Sequence, residues 1–280
     1  MISNRISPTT LQELPLKKKT LILADLHLEE NAAGTEKFLN LLQQNIPPDS
    51  LVLILGDLFP FWTSREFDPE IGLTPWERNT FRFQQKILKA IALYKKKGGS
   101  IILVQGNRDF LFRSKTQQEQ KIKTFGWEKC FDQVVPNFCR LKTEENSVFL
   151  FHHGDIANPK DRGYFLLRWF VRHPLLRKVL FAIPEKYANL WVYKLKNLFY
   201  EKVTPVPKFF PQLAWEKWAQ KQMKQWQADY FLIGHFHPQK MVQKKLSYGK
   251  LAIVLPAWFV HFHYYEVQSS GAHSLKIWKE

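Results

Sequence analysis

The chain has 280 residues, 45% hydrophobic and 15% aromatic, a composition that excludes an intrinsically disordered protein. Its 41 Lys and Arg residues outnumber 25 Asp and Glu residues, giving a formal net charge of +16. This charge indicates an anionic partner: nucleic acid, a phosphorylated substrate or an acidic lipid surface. No apolar run reaches the roughly 18 residues of a transmembrane helix, and residues 1–19 lack the apolar core of a signal peptide. We therefore expect a cytoplasmic protein, peripheral to a membrane.

The first predicted strand is followed by two potential metal ligands. The apolar run Leu21–Ala24 is short and bounded, as in a buried strand, and Asp25 and His27 come directly after it. In an extended backbone, residues two apart point to the same side. In open α/β sheets the reacting groups lie beyond the carboxyl ends of the strands. Asp25 and His27 are therefore oxygen and nitrogen candidates for binding one divalent ion.

Two helices are predicted between the early strands. Residues 34–45 carry apolar side chains at helical spacing and should cover one face of a sheet. A second helix is predicted to begin at Thr74, where a capping box is followed by proline in the first helical position. It should end at Lys97, because lysines suit a helix C-terminus and Gly98 follows.

Four further predicted strands also end in Asp, Asn or His. These strands are Leu51–Leu55, Ser100–Val104, Ser147–Phe151 and Asp229–Ile233. The sequences that follow them are Gly56-Asp57, Gly106-Asn107-Arg108-Asp109, His152-His153-Gly154-Asp155 and Gly234-His235-Phe236-His237. One such ending is common by chance, but five in order are not. A final strand is predicted at Leu251–Leu255, with Ala257–Tyr265 as its aromatic continuation.

Together these strand ends provide enough ligands for two metal ions. The candidates are two carboxylates, one amide and four imidazoles: Asp25, His27, Asp57, Asn107, His153, His235 and His237. Two neighbouring ions need a bridging anion, and Asp57 is the natural bridge. Mixed oxygen and imidazole ligands favour Mn, Fe or Zn over Ca or Mg, and we expect Mn²⁺. No thiolate is offered, which argues against a structural zinc site.

The ordered motifs resemble those of the calcineurin-like metallophosphoesterase family. The resemblance implies an α/β fold, a four-layered α/β/β/α sandwich, with residues 1–280 as a single domain and residues 156–210 as a helical cap insertion. It also implies two ligand sets. The first ion would be bound by Asp25, His27, Asp57 and His237, and the second by Asp57, Asn107, His153 and His235.

Arg108 stands where many members of the wider family carry a histidine that faces the leaving group. Arginine stays charged at neutral pH and cannot act as a general acid, so we expect Arg108 to stabilise phosphate charge as a catalytic residue. This substitution favours a leaving group that needs little protonation, such as one phosphate of a diphosphate.

The segment between His153 and His235 is basic and aromatic. Residues 156–210 contain eleven Lys and Arg residues against three Asp and Glu residues, interleaved with apolar and aromatic side chains. Amphipathic helices are predicted at residues 164–170, 175–183 and 187–200. One interpretation is an ordinary helical insertion with solvated lysines. The other interpretation is a cap whose apolar faces bind acyl chains or enter a bilayer, while its arginines bind phosphate.

A closer resemblance favours the cap. The motif Asp161-x-Gly163-Tyr164-x-x-x-Arg168, the aromatic loop Gly56–Trp62 and the sequence Gly-Asn-Arg-Asp-Phe resemble the UDP-2,3-diacylglucosamine hydrolases of lipid A biosynthesis. That resemblance implies cleavage of a UDP-linked acylated sugar to UMP and a lipid monophosphate at the inner face of the inner membrane. It implies five substrate contacts, from Trp62, Arg108, Asp161, Tyr164 and Arg168.

Other functions remain open. The chain could be a phosphoesterase acting on nucleotides or phosphoproteins, or a basic nucleic-acid-binding protein or nuclease. We do not expect nucleic acid, because the basic residues are mixed with apolar helices and form no polar stripe. A catalytically inactive scaffold is disfavoured, because all seven ligand positions are filled.

Several residues near the motifs are given other roles. Asp109 and Asp155 should orient ligands through hydrogen bonds. His152 is expected to be a spectator beside His153. Ordinary surface or interface histidines are expected at His261, His263 and His273. The two cysteines, Cys130 and Cys139, are expected to be free thiols.

Overall fold

The computed structural model of the protein describes residues 11–43, 46–47, 49–60, 75–109, 130–173, 175, 187 and 210–278. Trp62 lies outside these residues, as do all but single residues of the predicted helices at 175–183 and 187–200. Of the predicted cap at 156–210, residues 156–173, 175, 187 and 210 are described. Among the described residues, no helix has the length and apolar composition needed to cross a bilayer.

Two six-stranded sheets form the centre of the fold. The described residues form twelve strands, numbered in chain order: β1 Gln12–Glu13, β2 Lys19–Ala24, β3 Ser50–Leu55, β4 Ser100–Val104, β5 Gln133–Val135, β6 Cys139–Lys142, β7 Val148–His152, β8 Tyr230–Ile233, β9 Val242–Lys245, β10 Leu251–Val254, β11 His263–Gln268 and β12 His273–Ile277. One sheet has the order β12-β11-β2-β3-β4-β5, and the other has the order β1-β6-β7-β8-β10-β9. Strands β2 to β5 are parallel, as are β7, β8 and β10.

Helices cover the outer face of each sheet. The described helices are α1 Ala33–Gln43, α2 Pro75–Lys96, α3 Arg162–Arg172, α4 Gln212–Trp226 and α5 Trp258–His261. Side chains of α1 and α2, including Phe38 and Ile87, pack with Leu21 and Leu23 of β2. Trp215 of α4 packs on the second sheet.

The space between the sheets is filled from both sides. Ile22 and Leu53 of the first sheet share a buried cluster with Phe149, Phe151 and Leu232 of the second. Successive residues of β2 therefore alternate between the helical layer and the intersheet layer, as the two-residue period of a strand requires. The four-layered α/β/β/α sandwich implied by the sequence is confirmed.

The described structure corrects two expectations about the C-terminal region. The segment after β10 is no strand continuation: it forms α5, then turns at Phe262, whose φ is 53°, into β11. Trp258 starts this turn because its buried indole Nε1–H donates to the Gly34 carbonyl. The strand at Leu251–Leu255 is also not the final one, because β11 and β12 follow it and extend the first sheet.

The cysteines are free thiols, as expected, and both are buried. Burial raises the pKa of Cys130 to about 12 and raises the pKa of Cys139 further. Neither thiol is therefore ionised near neutral pH, so neither is a reactive nucleophile.

Candidate dimetal site

The carboxyl ends of five strands bring the seven predicted ligands together. Strand β2 leads to Asp25 and His27, β3 to Asp57, and β4 to Asn107, while the second sheet supplies the remaining three histidines after β7 and β8. The two sheets are joined here, because the His235 backbone N–H donates to Asp25 Oδ2 at 2.7 Å. The His27 N–H also donates to the Asp57 carbonyl at 2.8 Å.

Five of these seven residues have left-handed backbone conformations. They are Asp25, His27, Asp57, His235 and His237, with φ between 42° and 72°. Such values are uncommon for residues other than glycine and cluster at functional sites. The extended backbone expected for Asp25 and His27 is therefore wrong. Their side chains converge because the chain turns sharply immediately after β2.

One group of ligand atoms surrounds Asp25. Its Oδ1 lies 3.4 Å from His237 Nε2, and His237 Nε2 lies 3.3 Å from His27 Nε2. His27 Nε2 is in turn 3.7 Å from Asp57 Oδ2. These atoms belong to the four residues that the sequence resemblance assigns to the first ion.

A second group surrounds His153. Its Nε2 lies 3.1 Å from Asn107 Oδ1, 3.2 Å from His235 Nδ1 and 3.7 Å from Asp57 Oδ1. The other ring nitrogen, Nδ1, lies 2.9 Å from the Leu55 carbonyl, which can only accept. His153 therefore carries its proton on Nδ1 and presents an Nε2 lone pair to the site, as a metal-binding histidine does.

The donor set fits two divalent cations. Asp25 Oδ1 and Asp57 Oδ2 are buried and make no hydrogen bond within the described part of the chain. Unpaired carboxylate oxygens are costly to bury, and a divalent cation among these oxygens and the neighbouring imidazole nitrogens would offset that cost. Asp57 faces the first group with Oδ2 and the second with Oδ1. Its position between the two groups is that of a bridging ligand.

Electrostatics keep both carboxylates ionised. Burial alone would raise the pKa of Asp25, but His237, His153 and His27 outweigh it and hold the pKa well below its usual range. For Asp57, burial is likewise outweighed by His153, His27 and Arg108, so its pKa is also lowered. Both residues can therefore act as anionic ligands at neutral pH.

Asp109 holds the ligand loops through their backbone. Its carboxylate accepts hydrogen bonds from the backbone N–H groups of Asp57 at 2.6 Å, Leu58 at 3.1 Å and Gly106 at 2.8 Å. Burial and the Asp57 charge raise the pKa of Asp109 to about 7. Gly106 is required beside it, because a Cβ there would lie 2.3 Å from Asp57 Oδ1. The predicted orienting role of Asp109 is confirmed, although it acts on backbone groups.

Asp155 is connected to the first helix of the insertion. It accepts hydrogen bonds from the Tyr164 hydroxyl and from an Arg168 guanidinium nitrogen. A second Arg168 nitrogen donates to Asn137 Oδ1 at 3.0 Å. Asp155 thus orients two predicted substrate contacts, not the metal ligands themselves. Asn137 carries no motif and could not be found from the sequence.

The other predicted substrate contacts have different environments. Asp161 is exposed, and its Oδ1 accepts a hydrogen bond from the Tyr164 N–H at 2.9 Å, so it caps α3. The Arg108 backbone N–H donates to Asp57 Oδ1 at 2.9 Å. The Arg108 Nε atom is buried with no hydrogen-bond partner among the described residues.

The remaining histidines lie outside the two ligand groups. His152 is buried beside Phe138, and its Nδ1 accepts a hydrogen bond from the Gly154 N–H at 2.8 Å. It is a structural neighbour of the site. The rings of His261 and His263 lie 5.8 Å apart on the C-terminal segment. Phe259, which no sequence motif marks, contacts the site directly, since its ring lies 5.1 Å from that of His27.

Comparison with known proteins gives one family and a consistent set of relatives. Residues 18–239 match the family model described as Calcineurin-like phosphoesterase. A Histophilus somni (strain 2336) protein named UDP-2,3-diacylglucosamine hydrolase is 27% identical over 256 residues, covering 91% of this chain and 98% of that protein. A Pseudomonas putida (strain W619) protein of the same name is 32% identical over 178 residues, covering 63% of this chain and 65% of that protein. Among solved structures, a dimetal phosphatase from Danio rerio is 13% identical, with a TM-score of 0.46, covering 91% of this chain and 93% of that one.

Proposed function

The chain belongs to the calcineurin-like phosphoesterase family, and we propose that it hydrolyses the diphosphate of UDP-2,3-diacylglucosamine to UMP and 2,3-diacylglucosamine 1-phosphate. The observation that carries the reaction type is the position of Asp57, whose two carboxylate oxygens face two separate groups of ligand atoms. The substrate is supported by the relatives named UDP-2,3-diacylglucosamine hydrolase. The reaction belongs to lipid A biosynthesis.

The seven converging residues would hold two divalent ions, with Mn²⁺ the expected metal. The first would be bound by Asp25, His27, Asp57 and His237, and the second by Asp57, Asn107, His153 and His235. Ions bound there would lower the pKa of water and neutralise phosphate charge. The chain's own contribution is to fix the ligand atoms in two groups and to keep both carboxylates ionised.

Arg108 would bind and stabilise the phosphate being cleaved. It follows the candidate ligand Asn107 directly, and its backbone N–H donates to Asp57 Oδ1 at 2.9 Å, which holds it beside the proposed bridging carboxylate. Because an arginine remains protonated, the leaving group receives no proton from it. A diphosphate suits this site, because the departing phosphate is a stable anion without a proton from the enzyme.

Helix α3 would present the lipid-binding side of the enzyme. Tyr164 and Arg168 turn toward the site, where both contact Asp155. Leu166 and Trp169 of the same helix are 66% and 62% exposed. An amphipathic helix of this kind, on a chain with a net charge of +16, suits acyl chains or an anionic bilayer surface. We propose that the protein works at the inner face of the inner membrane.

The decisive experiment compares UDP-glucosamine substrates with long, short and no acyl chains at a matched detergent concentration. Each buried methylene contributes about 0.8 kcal/mol, so shortening the acyl chains by four carbons should weaken apparent binding by up to about 3 kcal/mol. UMP release is measured for each substrate. Equal efficiency on all three would refute the lipid substrate and leave a phosphoesterase of another specificity.

A further inference from the structure

Phe259 contacts both histidines of the first ligand group. Its ring centroid lies 5.1 Å from that of His27 and 5.4 Å from that of His237, with interplanar angles of 87° and 80°. The two imidazoles are themselves 5.1 Å apart at 77°. Three rings thus pack edge to face around one point, a favourable arrangement for aromatic groups. On the ligand side of this cluster, the two Nε2 atoms are 3.3 Å apart.

The position of Phe259 is fixed by α1. The neighbouring Trp258 is fully buried and donates its indole N–H to the Gly34 carbonyl at 2.8 Å. The chain passes so close to α1 that a Cβ on Gly34 would lie 3.0 Å from Phe259 Cα. Behind Phe259, Lys37 Nζ lies 5.1 Å from the ring centroid of Phe262. The short helix therefore has little freedom to move away from the site.

The two ligand groups are oriented in different ways. In the second group, His153 is held by its hydrogen bond to the Leu55 carbonyl. In the first group, the contact that His27 and His237 share is with the Phe259 ring. Ring orientation matters because the lone pair of an imidazole must point at the metal, and groups that set it tune metal affinity.

We propose that Phe259 is a positioning residue for the first metal ion. Its ring orients the imidazoles of His27 and His237 so that their Nε2 atoms converge, and it shields that side of the site from water. This role rests on the proposed dimetal function and adds to it a residue that no metal-binding motif contains. The role is specific to one ion, because the ligands of the second are held by other contacts.

The test is metal binding by Phe259→Ala and Phe259→Leu, with Val260→Ala as the matched control. Val260 lies next to Phe259 on the same short helix and is 43% exposed. Metal-free protein is titrated with Mn²⁺ in a calorimeter, and bound metal is counted by mass spectrometry after desalting. We expect Phe259→Ala to bind one ion normally and the other about 10- to 100-fold more weakly. Phe259→Tyr, which keeps the ring, should restore both affinities.

Other results would overturn the proposal. Two ions bound by Phe259→Ala with wild-type affinities would exclude a positioning role. Equal weakening of both ions, with a lower unfolding temperature of the metal-free protein, would identify Phe259 as a packing residue only. If the alanine variant does not fold, the leucine variant decides by the same criteria. A wild-type protein that binds fewer than two ions would instead refute the proposed function.

Discussion

One histidine of the second candidate ligand group, His153, is held by a backbone hydrogen bond, whereas His27 and His237 of the first group pack against a shared aromatic ring. His153 donates to the Leu55 carbonyl within the buried end of β3. His27 and His237 instead contact Phe259, which belongs to a short helix near the C-terminus. Both partners are fixed by the fold: the Leu55 carbonyl by its sheet, and the short helix of Phe259 by the contact of Trp258 with α1. The two groups therefore differ in the kind of contact that orients their histidines.

The same comparison explains which residues of the candidate site could be predicted from the sequence. A candidate ligand that follows a strand directly is part of a local motif, and the structure brings together all seven candidates that such motifs predicted. The orienting contacts are long-range: Phe259 is far along the chain from His27, and Asn137 lies well before Arg168. No local pattern records such partners, because they depend on how the two sheets pack.

The largest expected effect follows from the residue that the two groups share. Asp57→Ala should remove more than one metal equivalent and reduce hydrolysis to below about 1% of the wild-type rate, because one carboxylate serves both ions. Metal content and UMP release are measured on the same preparation. Retention of two ions by the variant would show that Asp57 is not a bridge and that the two groups are independent.

A paired experiment separates the groups. His237→Ala should lose one metal equivalent and His153→Ala should lose the other, because His237 Nε2 lies beside His27 Nε2 whereas His153 Nε2 lies beside Asn107 and His235. In Mn²⁺ titrations, the residual ion of His237→Ala should bind with the affinity of the second site of the wild-type protein. Loss of both ions in each variant would indicate one cooperative cluster instead of two groups.

The fold was predicted from the same strand ends, and the expectations that proved wrong did so for a physical reason. Short continuous apolar runs, most of them followed by glycine and by Asp, Asn or His, made the parallel strands predictable. The C-terminal segment was misread, because an aromatic run such as residues 257–265 satisfies either a strand or a buried turn. Only the Trp258 contact with α1 and the left-handed Phe262 decide between them. The left-handed backbone conformations of the candidate ligands were not predicted for the same reason, since the sequence does not record strain that the surrounding structure imposes.

A smaller effect is expected outside the ligands, at Arg108. Arg108→Ala should lower the rate by roughly 10²- to 10³-fold, the usual cost of removing one donor that stabilises transition-state charge. Arg108→Lys should still lose much of the activity, because a point charge does not reproduce the guanidinium fork. Both variants should retain two metal ions. Full diphosphatase activity of Arg108→Ala would exclude the proposed role.

The smallest effect on substrate binding is expected for the hydrogen bond between Tyr164 and Asp155, which connects helix α3 to the loop that follows His153. Tyr164→Phe removes the hydroxyl that donates to Asp155, while Arg168 keeps its own contact with that carboxylate. The lost hydrogen bond should lower the free energy of unfolding by about 1 kcal/mol. If Tyr164 acts by holding α3 over the site, KM should rise a few-fold with kcat and metal content unchanged. Tyr248→Phe is the matched control, because that tyrosine is 98% exposed.

Replacement of Arg168 tests whether the contacts of helix α3 with Asp155 act on substrate binding or on metal binding. Arg168→Lys should weaken substrate binding more than Tyr164→Phe does, because Arg168 contacts both Asp155 and Asn137. Metal content should stay at two ions, since neither residue belongs to a ligand group. The measurements are KM for the diphosphate substrate and bound metal on the same samples. A loss of the second ion in either variant would mean that helix α3 supports the metal site itself. The second ligand group would then depend on distant contacts more than the first group does.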